Sequence, residues 1–358
     1  MAPVLLEDES RSWTVLDDSG WPIELLDSYL GFLTDIERSP ETVRSYAFDL
    51  KDLWVFLDER HRPWESMDLE LLGAFVGWLR RSRTGVVVLA APEEGRIQMS
   101  TTARKLAAVT GFYRWAARSG RCPGDFVGQL GPTPSGSYKS FLHHARRRSD
   151  RVRPPIPLRV EQPAPKTLSE DEIARLVDAT IRARDRFLVL LLASSGLRIG
   201  EALGLRHADV DAPGGSIQVV PRRNTNGSRV KGGRSRAVTV GAEVFRAYSD
   251  YMHDEFGEID SDYVFVNLWG GRRGRPMTYP SVRDICARLG RRAGVAFNPH
   301  RLRHSHATEL LRAEVPIEIV SKRLGHSSVQ TTSAVYSHLL PEDLRRAIEA
   351  AGFVGGHR

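Results

Sequence analysis

The stretch PHRLRHSHATELLRAEVPIEIVSKRLGHSSVQTTSAVYSHLL, Pro299 to Leu340, decides how this chain is read. His300 and Arg303 are three apart, so both side chains leave one face of a helical turn. A helix from His300 continues through His304, Ala307, Leu310 and Leu311, an apolar-periodic run that can dock on a core. Val315-Pro316 breaks it, because the residue before proline avoids the helical region. A second amphipathic run carries Ile317, Ile319, Val320 and Leu324, and Gly325 stands where a C-terminal cap is expected. His326 follows at once, and Thr331 and Thr332 lead to Val335, Tyr336 and His338. Arginine grips two phosphate oxygens at once. Histidine moves protons or donates hydrogen bonds near neutral pH. Tyrosine becomes a nucleophile only when its proton is taken or its product is stabilised. Together these groups suit attack of a phenolic oxygen on a phosphodiester.

Plainer readings compete. A lone helical histidine is more often structural than catalytic, and His306 and His338 are read that way; His304 is expected to brace the helix beside Arg303. His300 and His304 have the four-residue spacing of a zinc-protease helix, but Arg301 stands where that motif needs glutamate, so no metal is expected.

The ordered set His300-Arg301-Leu302-Arg303-His304, Leu324-Gly325-His326 and Tyr336 resembles the C-terminal pattern of the tyrosine recombinase (phage integrase) family: H-x-L-R-H, L-G-H, then a tyrosine about ten residues on. Upstream, Ser194-Ser195-Gly196-Leu197-Arg198-Ile199-Gly200-Glu201 matches that family's first box, T-G-x-R-x-x-E, with serine for threonine. Gly196 is expected to end one helix and Arg198 to sit at the start of the next, beside free backbone N–H groups. Glu201, one turn on, is expected to orient it. Val230-Lys231-Gly232-Gly233-Arg234-Ser235-Arg236 resembles the family's T-K-G-x-K-x-R hairpin, although Arg222 to Arg229 is longer than usual, so Arg229 and Arg234 remain alternatives to Lys231.

Bulk composition is compatible with this. The chain has 358 residues, enough for two cored domains, and a net charge of +7 that favours a polyanionic partner. Two cysteines, Cys122 and Cys286, make a disulfide framework improbable and a reducing cytosol the natural compartment. The longest apolar run, Phe187 to Ala193, is too short for a bilayer, and the acidic start MAPVLLEDESRSW is not read as a secretory signal.

In chain order, residues 1–21 show no sustained periodicity and are expected as a lead-in. Residues 22–120 predict four helices: one from Ile23, one opened by Ser39-Pro40, one capped by Asp68 and one from Ser100, with a loop near 84–96 before the last. Thr42-Val43-Arg44-Ser45-Tyr46 and Arg104 to Ala116 resemble local patterns of the family's core-binding domain. Arg44, Arg104 and Lys105 are candidate DNA contacts there, against the plainer reading of a solvated helix face. Residues 121–165 read as a Pro/Gly-rich linker with a basic patch, including Arg146, Arg147 and Arg148, suited to a phosphate backbone. From 166 to 358 the catalytic domain is expected, entered through a Thr167/Ser169 cap. Within it, Ile217/Val219 and Ala237–Val240 predict a hairpin turning near Asn226-Gly227, Ala242–Phe256 and Ser281–Ala293 helices, Tyr263–Val266 a strand, and Pro341–Gly352 a final helix.

The fold expected is therefore mostly α with a small antiparallel sheet: a four-helix SAM-like core-binding domain and a tyrosine-recombinase catalytic domain. The resemblance implies a site-specific recombinase that cleaves and rejoins DNA through a 3′-phosphotyrosine, without ATP, metal or cofactor. It implies Tyr336 as nucleophile and Arg198 and Arg303 on the phosphate. It implies Lys231 as donor to the leaving oxygen, His300 as acceptor of the tyrosine proton and His326 as donor to the phosphate. Implied partners are double-stranded DNA sites, a homo-tetramer linked by the C-terminal helix, and accessory recombinases, in the cytoplasm and with no membrane. The alternatives are a strand-religating topoisomerase or resolvase and a non-catalytic DNA-binding accessory protein.

Overall fold

The computed structural model describes residues 2–5, 11–80, 98–121, 124–130, 156, 166–326 and 328–336. The predicted loop near 84–96, nearly all of the linker with Arg146, Arg147 and Arg148, His338 and the expected helix Pro341–Gly352 lie outside these residues. The chain forms two compact units, Met1–Glu161 and Gln162–Arg358.

In the first unit, helices α1 (Glu24–Asp35), α2 (Pro40–Asp58), α3 (Leu69–Arg80) and α4 (Met99–Arg118) pack around Leu30, Leu50, Leu53, Phe56, Phe75 and Phe112, followed by a short α5 (Gly124–Gln129). The helix starts follow the local chemistry: the Ser39 hydroxyl accepts from the Thr42 N–H at 3.2 Å, and Asp68 accepts from the Leu71 N–H at 2.7 Å. The expected lead-in is instead partly ordered. Strands β1 (Ala2–Leu5) and β2 (Arg11–Thr14) pair antiparallel, and Ser12, Thr14 and Val15 are buried. Four-residue strands are too short to show a two-residue period, which is why the pattern was silent.

Of the basic residues expected on DNA in this unit, Lys105 is corrected. It is only 6% exposed, and its ammonium lies 3.1 Å from Asp49 and 2.6 Å from Asp52. The buried Asp49 carboxylate is what draws it inward, and Arg104, half exposed, pairs with the same group. Arg44 pairs with Glu41 at 2.9 Å and lies 5.3 Å above the rings of Trp13 and Phe48.

The second unit opens on α6 (Glu170–Asp178), where the expected Thr167 or Ser169 cap is Ser169, in a capping box with Glu172. The buried α7 (Ala183–Ser195) packs against α9 (Ala242–Tyr251) and α11 (Pro299–Arg312) through Phe187, Leu191 and Leu192. Between α7 and α9 come the one-turn α8 (Ile199–Ala202) and a three-stranded antiparallel sheet in the order β3 (Val210–Asp211), β4 (Ser216–Val219), β5 (Arg236–Thr239). Helices α10 (Tyr279–Ala293), α12 (Ile317–Leu324) and α13 (Val329–Tyr336) complete it.

One expectation is met here and one changes. The β4–β5 pair forms, with Val219 opposite Arg236, and the turn expected near Asn226-Gly227 lies within the excursion 220–235, the Gly227 N–H donating to the Asn224 carbonyl at 3.1 Å with Gly227 at φ +75°. The Asn226 amide donates to the carbonyls of Leu203 and Met277, pinning the excursion to the core. Tyr263–Val266, expected as a strand, makes only isolated bridges, Arg206 to Tyr263 and Val266 to Pro276. Its apolar run reflects burial among helices, which periodicity alone does not separate from a core strand.

The buried ion pair gives a direct stability test. Lys105→Met leaves Asp49 in the bundle without its main partner and is expected to cost about 3–5 kcal/mol in a urea melt. Replacing Asp49 together with Lys105 by apolar residues of similar size should recover most of that loss.

Candidate active site

Helix α7 ends on Gly196, at φ +64°. A side chain there would meet the His306 ring at 2.7 Å and Leu324 at 2.9 Å, so both the backbone conformation and the space demand glycine. This break aims the next residues at the end of α12. Arg198 becomes the N-cap of α8; its backbone N–H donates to Glu201 Oε2 at 2.9 Å and its Nη1 to Glu201 Oε1 at 3.1 Å. The same Nη1 donates to the carbonyls of Leu324 (3.2 Å) and Gly325 (3.1 Å). Arg303, buried on α11, donates to the Gly196 carbonyl and to the Leu324 carbonyl, each at 2.7 Å. Arg198 and Arg303, 105 positions apart in the chain (303 − 198), thus share one acceptor.

A third guanidinium joins them. Arg236 on β5 forks onto Glu201, Nη1 to Oε1 at 3.0 Å and Nη2 to Oε2 at 2.7 Å, while its Nε donates to the Arg323 carbonyl at 3.0 Å. Arg323 secures α12 from behind: its Nε donates to His306 Nε2 at 2.8 Å, and its Nη2 to the carbonyls of Ser194 (2.9 Å) and Thr239 (2.8 Å).

Tyr336 closes the site from α13. Its ring is 2% exposed, packed with Ala307, Val320 and Leu324, and its hydroxyl lies 2.8 Å from His304 Nδ1. The structure therefore pairs Tyr336 with His304, whereas sequence reasoning gave the tyrosine proton to His300 and a bracing role to His304. Both histidines sit on one face of α11, four apart, and only the position of α13 selects between them. His326 contacts Thr332 Oγ1 through Nδ1 at 2.7 Å. Lys231 is exposed at the turn of the 220–235 excursion. Burial, then the charges of Arg303, Arg198 and Lys231, holds His300 below its usual value.

The electrostatics follow from crowding cations in a half-buried space. Burial, then the Arg198 charge, pushes Arg303 down to about 9, with Glu201 opposing. Burial, then Arg303 and Arg198, brings His326 down to about 4. Burial lowers His304 as well, helped by His300 and Arg303. Burial raises Tyr336 to about 12 against the pull of Arg303. Burial also works to raise Glu201, but the hydrogen bonds and charge of Arg236, and then those of Arg198, outweigh it and hold the carboxyl low. The arrangement is a set of cations holding neutral histidines, beside an unionised phenol: a site short of one anion. Among the described residues, no three His, Cys, Asp or Glu side chains gather as metal ligands.

Arg236, Arg323 and Thr332 were not among the residues singled out from sequence. Arg236 does occupy the arginine position of the T-K-G-x-K-x-R pattern, which was the available signal.

The phage integrase family model matches residues 166–343, and the phage integrase N-terminal SAM-like domain model matches residues 26–120. The chain belongs to the phage integrase family and is a tyrosine recombinase, the class of enzyme that performs site-specific DNA recombination. It is 32% identical over 335 residues to transposase A from transposon Tn554 of Staphylococcus aureus, covering 93% of this chain and 92% of that one. It is also 32% identical over 343 residues to tyrosine recombinase XerD of Mycobacterium tuberculosis, covering 89% and 94%. In fold it is similar to the Tn1549 transposon integrase in complex with a circular intermediate DNA (TM-score 0.63, 16% identity, 91% of this chain and 99% of that one). XerH site-specific recombinase bound to a difH substrate gives TM-score 0.60 and 18% identity over 91% and 83%.

His306 offers a titration test of this framework. Burial, then the Arg323 charge, holds its ring at about 4 against 6.5 when exposed. The folded ring refuses the proton that the unfolded ring takes, so its contribution to stability is complete above pH 6.5 and is lost as pH falls towards 4. The melting temperature should drop across that window, and His306→Gln, which keeps an acceptor for Arg323, should flatten the drop.

Proposed function

We propose that Tyr336 attacks the scissile phosphodiester of a double-stranded DNA site, forming a 3′-phosphotyrosine and releasing a 5′ hydroxyl. The observation that carries this reading is the shared Leu324 carbonyl, which brings Arg198 and Arg303 to one point beside the Tyr336 phenol. Among the described residues, each hydrogen bond of the Arg198 side chain leaves from Nη1, so its Nε and Nη2 remain for the non-bridging oxygens. Two guanidinium groups fixed before the phosphate arrives stabilise the charge that develops on it without reorganising, the largest electrostatic contribution expected at such a site.

His304 is neutral at pH 7 and meets the Tyr336 hydroxyl, so it takes the phenol proton as the oxygen bonds to phosphorus. His300 then serves as a neighbour of the phosphate beside Lys231, and Lys231 gives its proton to the departing 5′ oxygen. His326, anchored on Thr332 through Nδ1, offers Nε2 to the phosphate. Reaching the DNA requires Tyr336 to leave its apolar packing, which costs roughly 1.5–3 kcal/mol for a large apolar side chain and is met by DNA binding. The phosphotyrosine preserves the energy of the broken bond, so the 5′ hydroxyl of a partner strand can displace it without ATP. Exchange between two duplexes needs one nucleophile for each cut strand, hence a tetramer, with the segment 341–352 as the link between neighbours and accessory recombinases as further partners. The similarity to transposon-encoded relatives supports mobile-element DNA as the substrate.

The test is covalent capture on a nicked duplex selected from a random-sequence pool by binding to the wild-type chain. Tyr336→Phe should bind that duplex with unchanged affinity and capture none of it; covalent capture by this variant would remove Tyr336 as nucleophile. Replacing Arg198 or Arg303 by alanine should slow capture by about 10²–10³-fold each. His304→Ala should slow it more at pH 6 than at pH 8.5, where hydroxide and the ionised fraction of the phenol begin to compensate.

A further inference from the structure

Glu201 is almost wholly buried, and among the described residues it is the single carboxylate bonded to the Arg198 and Arg236 guanidinium groups. Were Arg198 its only partner, the carboxylate would cancel the charge that Arg198 brings to a phosphate. The observed bonds are divided differently. Arg198 gives Glu201 one backbone N–H and one side-chain N–H, at 2.9 and 3.1 Å, whereas Arg236 gives it a full two-pronged grip at 3.0 and 2.7 Å. Bidentate Arg–carboxylate pairing is the stronger of the two geometries.

Arg236 is placed for this by three constraints. Register sets it opposite Val219 on β5, its Nε is held by the Arg323 carbonyl, and its guanidinium packs on Gly325. Any side chain at Gly325 would come within 2.6 Å of Arg236 Nη1, so the glycine of Leu324-Gly325-His326 is a seat for that guanidinium as well as a left-handed helix end.

We propose that Arg236 is a positioning residue that acts as the counter-ion of Glu201, so that Glu201 orients Arg198 while Arg198 keeps its charge for the scissile phosphate. The inference rests on the recombinase reading of this site and adds to it a division of labour: Glu201 fixes direction, Arg236 fixes charge. Without Arg236, the Glu201 carboxylate turns fully onto Arg198 and withdraws it from the DNA.

The experiment uses the full chain and the same selected, nicked duplex, with capture rates read in single turnover and folding checked by thermal melting. If the wild type captures no DNA, the recombinase reading itself fails and this inference falls with it. With the wild type active, Arg236→Gln, which keeps an amide donor but loses the charge, should slow capture about 100-fold while DNA affinity changes less than about threefold. Adding Glu201→Gln should then restore at least about tenfold of the loss, because the unbalanced carboxylate is gone. A merely structural role predicts the opposite, since a second substitution in one buried network adds damage. Arg236→Gln at the wild-type rate, or a double variant no faster than the single one, overturns the proposal. Should Arg236→Gln fail to melt cooperatively, Arg236→Lys decides: charge balance predicts a rate within about tenfold of wild type, and a hundredfold loss with intact melting overturns it.

Discussion

The C-terminal end of α12 is the constraint on which the rest of the catalytic unit depends. A helix ends with carbonyls that lack partners and carries partial negative charge there. Here the carbonyls of Arg323, Leu324 and Gly325 are met by Arg236, Arg198 and Arg303, side chains from three separate segments. Backbone dipoles hold guanidinium groups in place without neutralising them. Carboxylates at the same points would have positioned the arginines and cancelled them. The single carboxylate bonded there among the described residues, Glu201, faces both Arg198 and Arg236, so three positive groups meet one negative group and positive charge is left over.

Packing behind that point explains why it holds its shape. Arg323 ties α12 to the end of α7, to β5 and to His306 on α11. The Ser305 hydroxyl on α11 accepts from the Leu168 N–H at 2.6 Å, joining the entry of the unit to the helix that carries Arg303. Gly196 and Gly325, both left-handed, allow α7 and α12 to end where side chains from α11 and β5 press closest. Each glycine answers a steric demand at a named contact. Tyr336 belongs to the same packing, since its ring completes the cluster of Ala307, Val320 and Leu324, so the proposed nucleophile is held as a core residue with its hydroxyl on His304.

Much of this was legible beforehand because its causes are local. The Ser39 cap, the Ser169–Glu172 box and the Gly196 and Gly325 stops are dictated within a few residues, and each formed where the sequence placed it. Non-local choices were not. Lys105 looked like one more base on a helix until Asp49, 56 positions away, drew it inside. The turn at Asn226-Gly227 was legible, but not that the amide of Asn226 is spent on carbonyls from two other segments.

The sequence by itself determined where the helices start and stop and which side chains have the chemistry for a phosphodiester, because helix caps, breakers and residue types act over a turn or two. Only the tertiary structure decided the pairings. His304 rather than His300 meets Tyr336, and Arg236 shares Glu201 with Arg198, because the placement of α13 and the strand register are set by long-range packing. Two histidines one helical turn apart are equivalent to any local rule; what separates them is where another helix comes to rest.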